Sequence, residues 1–264
     1  MQSATFAVPS DWTLLALVLI GFLAGIGITA LGPGGVFVTI ALYALTGLGP
    51  AAVAGTASAT NIAAGLLGSI AYTRSGELLA ASNQRLALVV SVTSVLGALV
   101  GVRINAFVPK RLFGMVLGGL VMGIGVLVWY RERTDTDAGY TVDPDSRAGL
   151  VAGGAVGVGV GVPAGLLGIG GPVLAVPLLT VLGVPLLAAL AVAQVQSVFI
   201  AGAATVGYLA QGAVSMPLVV AIGVPELVGI VIGWRVARAV DPRRLKHALA
   251  ATLATLGPYL ALRP

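Results

Sequence analysis

Apolar runs cover almost the whole chain, at about 13–31, 36–48, 52–73, 86–104, 111–130, 148–167, 172–184, 188–210, 216–236 and 243–262. No Lys, Arg, Asp or Glu occurs between Trp12 and Thr73, nor between Ala148 and Pro225. A charge-free stretch well beyond about 20 apolar residues is membrane-spanning material. A membrane barrel would need short segments of alternating polar and apolar residues; these runs are apolar all round. The pattern predicts an all-α polytopic membrane protein, multi-pass in the cell membrane. One hydrophilic interval, YRERTDTDAGYTVDPDSR at 130–147, carries acids, Pro and Gly and no helical stripe. It reads as an extramembrane linker. The organisation expected is a first transmembrane repeat over 13–130, a linker over 131–147 and a second repeat over 148–262.

The two parts match in detail. Gly32-Pro33-Gly34-Gly35 returns 136 residues later as Gly168-Ile169-Gly170-Gly171. The same shift pairs Gly21 with Gly157, Gly25 with Gly161, Tyr72 with Tyr208 and Gly76 with Gly212. Further on, a shift of 132 pairs Gly97 with Gly229 and Arg103 with Arg235, and PKRL at 109–112 answers PRRL at 242–245. Internal repeats with Gly- or Pro-interrupted segments at matching places are a mark of transporters.

The interruptions have a geometric cause. Residues 13–48 form one apolar unit, and a straight helix of that length would run roughly 54 Å, against a hydrocarbon core of about 30 Å. The unit must break, and Gly32–Gly35 is the place; Gly168–Gly171 is its counterpart. Non-helical backbone at membrane depth is tolerated where protein or a water-filled cavity satisfies it. The breaks are therefore expected to face a cavity, with short helices beginning at Val36 and Pro172. Helix N-termini present free N–H groups and suit anions. Gly34, Gly35, Gly170 and Gly171 are the backbone candidates for binding one.

Charge sets the expected topology. If each broken unit is a hairpin returning to its starting side, Arg74, Arg85, Arg131, Arg133, Arg147, Arg235, Arg238, Arg243, Arg244 and Lys246 share one side. Arg103, Lys110, Arg111 and Arg263 share the other, a division of 10 to 4. Single crossings divide the same charges 8 to 6. The positive-inside rule prefers the first, which makes the halves inverted repeats, each a Gly-broken hairpin plus three spanning helices.

Polar side chains in the apolar runs are candidate ligands. GTASATN supplies Thr56, Ser58, Thr60 and Asn61, and its counterpart AQVQS supplies Gln194, Gln196 and Ser197. Neutral hydroxyl and amide donors hold an oxyanion less tightly than Arg, which suits a solute that must leave again. Glu226 is the lone acid of VPELVGIVIGW and the proton-coupling candidate, since an ionisable group within a span is a functional candidate by default. Its first-half counterpart is Ser94. Ser10 or Asp11 is expected to cap the first membrane helix. Tyr72 and Tyr208 read as interfacial aromatics.

In LGPGG and GTAS, in LGIGGPVLAVPLL and ALAVAQ, and in FVPKRL and AVDPRRL, the sequence resembles the TauE/SafE-type sulfite exporter family, over about residues 13–262. The family pattern is two copies of a Gly-rich hairpin, a Pro-containing short helix, a G/A-T-S stretch and a basic element. Two departures bear on substrate choice: Thr39 stands where the second half has Ala175, and Val192-Ala193-Gln194 replaces the Thr-Ser pair. The resemblance implies a secondary transporter exporting sulfite, thiosulfate or small organosulfonates, coupled to an ion gradient. An anion channel, or a transporter of another small organic anion, is the alternative.

Several classes are excluded. The single His247 and the lone intramembrane acid supply no catalytic set, and no phosphate-binding loop marks an ATP-driven pump. With no cysteine, thiol chemistry and Cys-ligated metal are out. No cofactor or metal site is expected. The net charge of +5 fits the loop bias rather than nucleic acid. The expected partners are a small anionic substrate and the lipid bilayer. A proton or sodium ion is the candidate for coupling, and a homodimer the candidate assembly.

Overall fold

A computed structural model describes residues 10–31, 33–133 and 146–239. Gly32, most of the linker, the PRRL element, His247 and the apolar segment 243–262 lie outside the described residues. Every regular element described is helical. In chain order they are α1 (Asp11–Leu31), a 3₁₀ turn (Pro33–Gly35), α2 (Val36–Leu45), α3 (Pro50–Arg74), α4 (Ala81–Asn105), α5 (Lys110–Arg133), α6 (Arg147–Leu167), α7 (Pro172–Val181), α8 (Leu186–Ala210) and α9 (Met216–Ala239). Six of them, α1, α3, α4, α6, α8 and α9, are long and apolar enough to cross a membrane, whereas α2 and α7 have ten residues each. At 1.5 Å per residue, ten residues reach about 15 Å, half of a bilayer core.

Local chemistry fixes the helix ends. The Ser10 hydroxyl accepts the Thr13 N–H at 3.4 Å at the head of α1, so of the two candidate caps it is Ser10 that serves. The Ser146 hydroxyl does the same for Gly149 at 2.9 Å at the start of α6. Prolines occupy the first turns of α3 and α7, where a missing N–H costs nothing. Large apolar side chains face outward, among them Leu15, Leu19 and Leu23 along one stripe of α1 and Leu88, Val92, Leu96 and Leu99 on α4. A soluble fold would bury such stripes; here lipid is their solvent.

The interior is built by close helix crossings at glycines. α1 lies along α9 and α4 along α6, while α3 crosses α8 at the centre. In the first pair a side chain at Gly21 would run into the Ile222 carbonyl, and one at Gly25 into that of Glu226, so the two helices run parallel. In the second pair Gly157 meets Val90 and Gly161 meets Ser94, again in parallel. The central pair is antiparallel, because Gly65 meets Val198 whereas Gly55 meets Tyr208. Small residues that let backbones approach are the usual basis of helix association in lipid.

Two aromatic residues read alike in sequence differ in place. Tyr208 is not interfacial: it is fully buried, and its hydroxyl donates to the Gly165 carbonyl at 2.8 Å near the end of α6. Asn105 of α4 joins it, giving its amide to the Leu166 carbonyl at 2.7 Å. The last carbonyls of α6, which have no partner within the helix, are thus satisfied by side chains of two other helices. Tyr72, near the end of α3, is partly exposed.

Gly161→Leu should lower the thermal unfolding midpoint in detergent, since overpacking a tight contact costs about 1–3 kcal/mol or more. Gly159→Leu, two residues away and with open space beside it, should leave the midpoint in place. A midpoint for Gly161→Leu as high as that of the parent chain would contradict the crossing.

Candidate functional site

The site is assembled where the two helix breaks meet. After α1 the chain doubles back, placing Gly34 against Ala24, Gly27 and Ile28, where no side chain would fit. Gly35 follows and faces Asn61 of α3 and the Ile169 carbonyl of the second break. In that second break Gly168 and Gly170 have φ of 73° and 75°, the left-handed region that L side chains rarely adopt. Gly168 ends α6 in this conformation, and Gly170 turns the chain into α7.

Side chains hold the second break open. The Gly168 carbonyl accepts two hydrogen bonds, from the Thr39 hydroxyl of α2 at 3.0 Å and from the Asn61 amide of α3 at 3.1 Å. The Gly171 N–H donates to the Ser197 hydroxyl of α8 at 3.4 Å. Both breaks and both central helices are therefore tied to one another across the repeat boundary.

Between them lies a small cavity of about 10 Å³, roughly the room of one water. Its walls include Gly35, Asn61, Gly170, Pro172, Gln194 and Ser197, with Ile28 and Ile169 among the apolar remainder. Pro172 begins α7, so the N-terminus of that helix borders the space. Gln194 is buried and its Nε2 has no hydrogen-bond partner among the described residues. A buried amide donor left unpaired costs about 1–3 kcal/mol. Gly68 makes room for this side chain; a larger residue there would strike the Gln194 carboxamide. The lining groups are neutral, with no carboxylate among them.

Of the residues singled out in the sequence, Gly35, Asn61, Gly170, Gln194 and Ser197 line this cavity. Gly34 packs on α1, and Gly171 stands behind Gly170 against α8. Thr56 faces α9, where its hydroxyl accepts the Ser215 N–H at 3.1 Å and so serves the head of that helix. Thr60 donates to the Ala57 carbonyl at 3.0 Å, and Ser58 is buried. Gln196 gives its amide to the Ser94 hydroxyl at 2.7 Å, away from the cavity. Glu226 is buried on α9 beside Thr60. Thr39 was named in sequence only for standing where the second half has Ala175, and not as a site residue; its signal was an aliphatic hydroxyl in the short helix just after the first break. The described residues contain no group of three or more His, Cys, Asp or Glu able to hold a metal.

Long lipid-facing helices packed around a buried interior define a polytopic helical membrane protein. A family model, Sulfite exporter TauE/SafE, matches residues 17–260, and the chain belongs to that family. It is also similar to the Probable membrane transporter protein YdhB of Bacillus subtilis (strain 168), at 24% identity over 253 residues, covering 93% of this chain and 99% of the relative. No solved structure matches. The family and the relative place the protein among membrane transporters rather than enzymes.

Gly170→Ala forces a side chain into a left-handed conformation, and should cost about 1–2 kcal/mol of stability. Gly202→Ala, on an open face of α8, should be neutral. Thermal unfolding of the two variants side by side checks this, and equal midpoints would contradict the left-handed turn.

Proposed function

We propose that the protein is a secondary transporter exporting small sulfur oxyanions, sulfite or thiosulfate, or organosulfonates, by alternating access of two inverted repeats around an anion held between the helix breaks. The observation that carries the reading is the unpaired Nε2 of Gln194, a residue lining a cavity with no carboxylate at the start of α7. An oxyanion would satisfy that donor, gain from the helix terminus and meet no opposing carboxylate. Asn61 and Ser197, equivalent positions in the two halves, add neutral polar groups to the lining; the Asn61 amide nitrogen is held by the Gly168 carbonyl, and its oxygen is the atom of that side chain nearest Gly35 and Gly170.

The packing supports inverted repeats. Equivalent helices α3 and α8 run antiparallel, as an axis lying in the membrane plane requires. The exchange of partners is symmetric: Gly25 on Glu226 corresponds to Gly161 on Ser94, and Gly21 on Ile222 to Gly157 on Val90. Helix directions put Arg74, Arg85 and Arg147 at one end and Arg103, Lys110 and Arg111 at the other, in keeping with hairpins that return to their starting side. A cavity with room for about one water cannot hold any of these anions as it stands. That favours a carrier, which must open to load and release, over a standing pore.

In proteoliposomes supplied in turn with labelled sulfite, thiosulfate, sulfoacetate and sulfate, at least one sulfur anion should exchange. Asn61→Ala and Gln194→Leu should each reduce that exchange about tenfold, the equivalent of about 1.4 kcal/mol. Exchange at the parent rate in both variants would remove the site. For topology, the cysteine-free chain allows single labels. A cysteine at 185 should react from the same side as one at 80, and a cysteine at 49 from the opposite side. Single crossings would put both 49 and 185 opposite 80.

A further inference from the structure

The symmetric packing isolates one position where the two halves differ in chemistry. In the second-half cluster Gln196 of α8 donates to Ser94 of α4 at 2.7 Å, and the one Ser94 hydroxyl hydrogen is shared between the Val90 carbonyl of α4 at 2.5 Å and the Gly157 carbonyl of α6 at 3.0 Å. The repeat shifts carry Gln196 onto Thr60, Ser94 onto Glu226 and Gly157 onto Gly21. In the equivalent first-half cluster Thr60 of α3 stands beside Glu226 of α9, against α1. One cluster is a neutral hydrogen-bonded chain; the other has an ionisable carboxyl in the same place.

We propose that Glu226 and Thr60 form a proton-binding site, present in one half only, that couples proton movement to the anion cavity through Asn61, the residue after Thr60. The inference rests on the transport reading above and names its coupling ion. Thr60 spends its one hydroxyl hydrogen on the Ala57 carbonyl. In that arrangement its oxygen presents a lone pair to a protonated Glu226, and turning the hydroxyl from Ala57 to the carboxyl would serve the ionised form. Neither carboxyl oxygen has a hydrogen-bond partner among the described residues, and Thr60 stands close enough to supply one. On losing its proton to water from one side, the carboxylate would draw the Thr60 hydroxyl away from Ala57. That changes α3 one residue from Asn61, whose amide holds the Gly168 carbonyl and whose side chain borders the cavity. Taking up a proton from the other side restores the first arrangement.

Among the described residues no other charge competes for the role. The described elements packed most closely on α9 are α1 and α3. The residues facing Glu226 from them, Gly25 and Thr60, carry no charge. The charged residues of those helices, Asp11 and Arg74, lie 14 residues further along, about 21 Å by helix rise. Arg235 and Arg238 follow Glu226 on α9 by more than two turns. Ser94 is the internal control, being the same position without the ionisable group.

Two measurements on the full chain in lipid separate this inference from the transport reading. Infrared difference spectroscopy across a pH titration should show a protonated-carboxyl band that Glu226→Gln abolishes, Thr60→Val shifts in frequency and Ser94→Ala leaves intact. This holds whatever the transported solute. In proteoliposomes, Glu226→Gln should lose the accumulation, driven by a pH gradient, of whichever of sulfite, thiosulfate or sulfoacetate the parent accumulates, and Ser94→Ala should retain it. The inference is overturned if no such band belongs to Glu226, if Thr60→Val leaves the band unmoved, or if Glu226→Gln accumulates anion with the parent pH profile. Failure of the transport reading would look different: no sulfur anion would exchange even in the parent chain.

Discussion

Backbone that leaves a helix inside a bilayer has no water to bond with, and everything distinctive about this protein follows from meeting that demand. At the second break the Gly168 carbonyl is taken by Thr39 and Asn61. The carbonyls just before it, of Gly165 and Leu166, are taken by Tyr208 and Asn105, and the Gly171 N–H by Ser197. The donors come from α2, α3, α4 and α8, so four helices are anchored to one interruption. The polar cavity is the by-product. Beside the side chains that satisfy the broken backbone, Gln194 keeps an unpaired Nε2 and borders a space that protein does not fill.

The same demand explains why the two parts of the chain interlock. A broken helix with a half-length continuation cannot cover itself, so each one borrows a partner from across the linker: α1 lies on α9 and α6 on α4. These contacts depend on glycine because the backbones touch, as at Gly25 on Glu226 and Gly161 on Ser94. Packing in lipid gains little from apolar burial and much from close approach. A tight, repeated seam of this kind has few intermediate positions, which suits a carrier that switches between two arrangements.

Six of the expected spans were legible because they follow from the length of the apolar runs alone. The faces were less so. Thr56 and Thr60 share a side of α3, as an i, i+4 pair must, but that side meets α9 and not the cavity; Thr56 serves the Ser215 N–H there. Asn61 lies one residue and about 100° further round, and it is this step that reaches the breaks. Which side of α3 looks inward depends on its crossing with α8, a long-range contact that spacing along α3 does not encode. Tyr208 misled for a related reason. A tyrosine near a helix end reads as an interfacial anchor, yet here the end of α6 is buried beside it and supplies the carbonyl its hydroxyl needs. Thr39 stood out in sequence only as a difference from Ala175, since a hydroxyl in an apolar helix has no assigned role until its acceptor, here the Gly168 carbonyl, is known.

The most direct trial is an experimental density map of the chain in lipid with thiosulfate present. The account predicts added density between the two breaks, within hydrogen-bonding distance of the Asn61 and Gln194 side chains and the start of α7, in a cavity widened from its present size. Thiosulfate density elsewhere, with Gln194 turned to a protein partner and the space between the breaks filled by side chains, would contradict it.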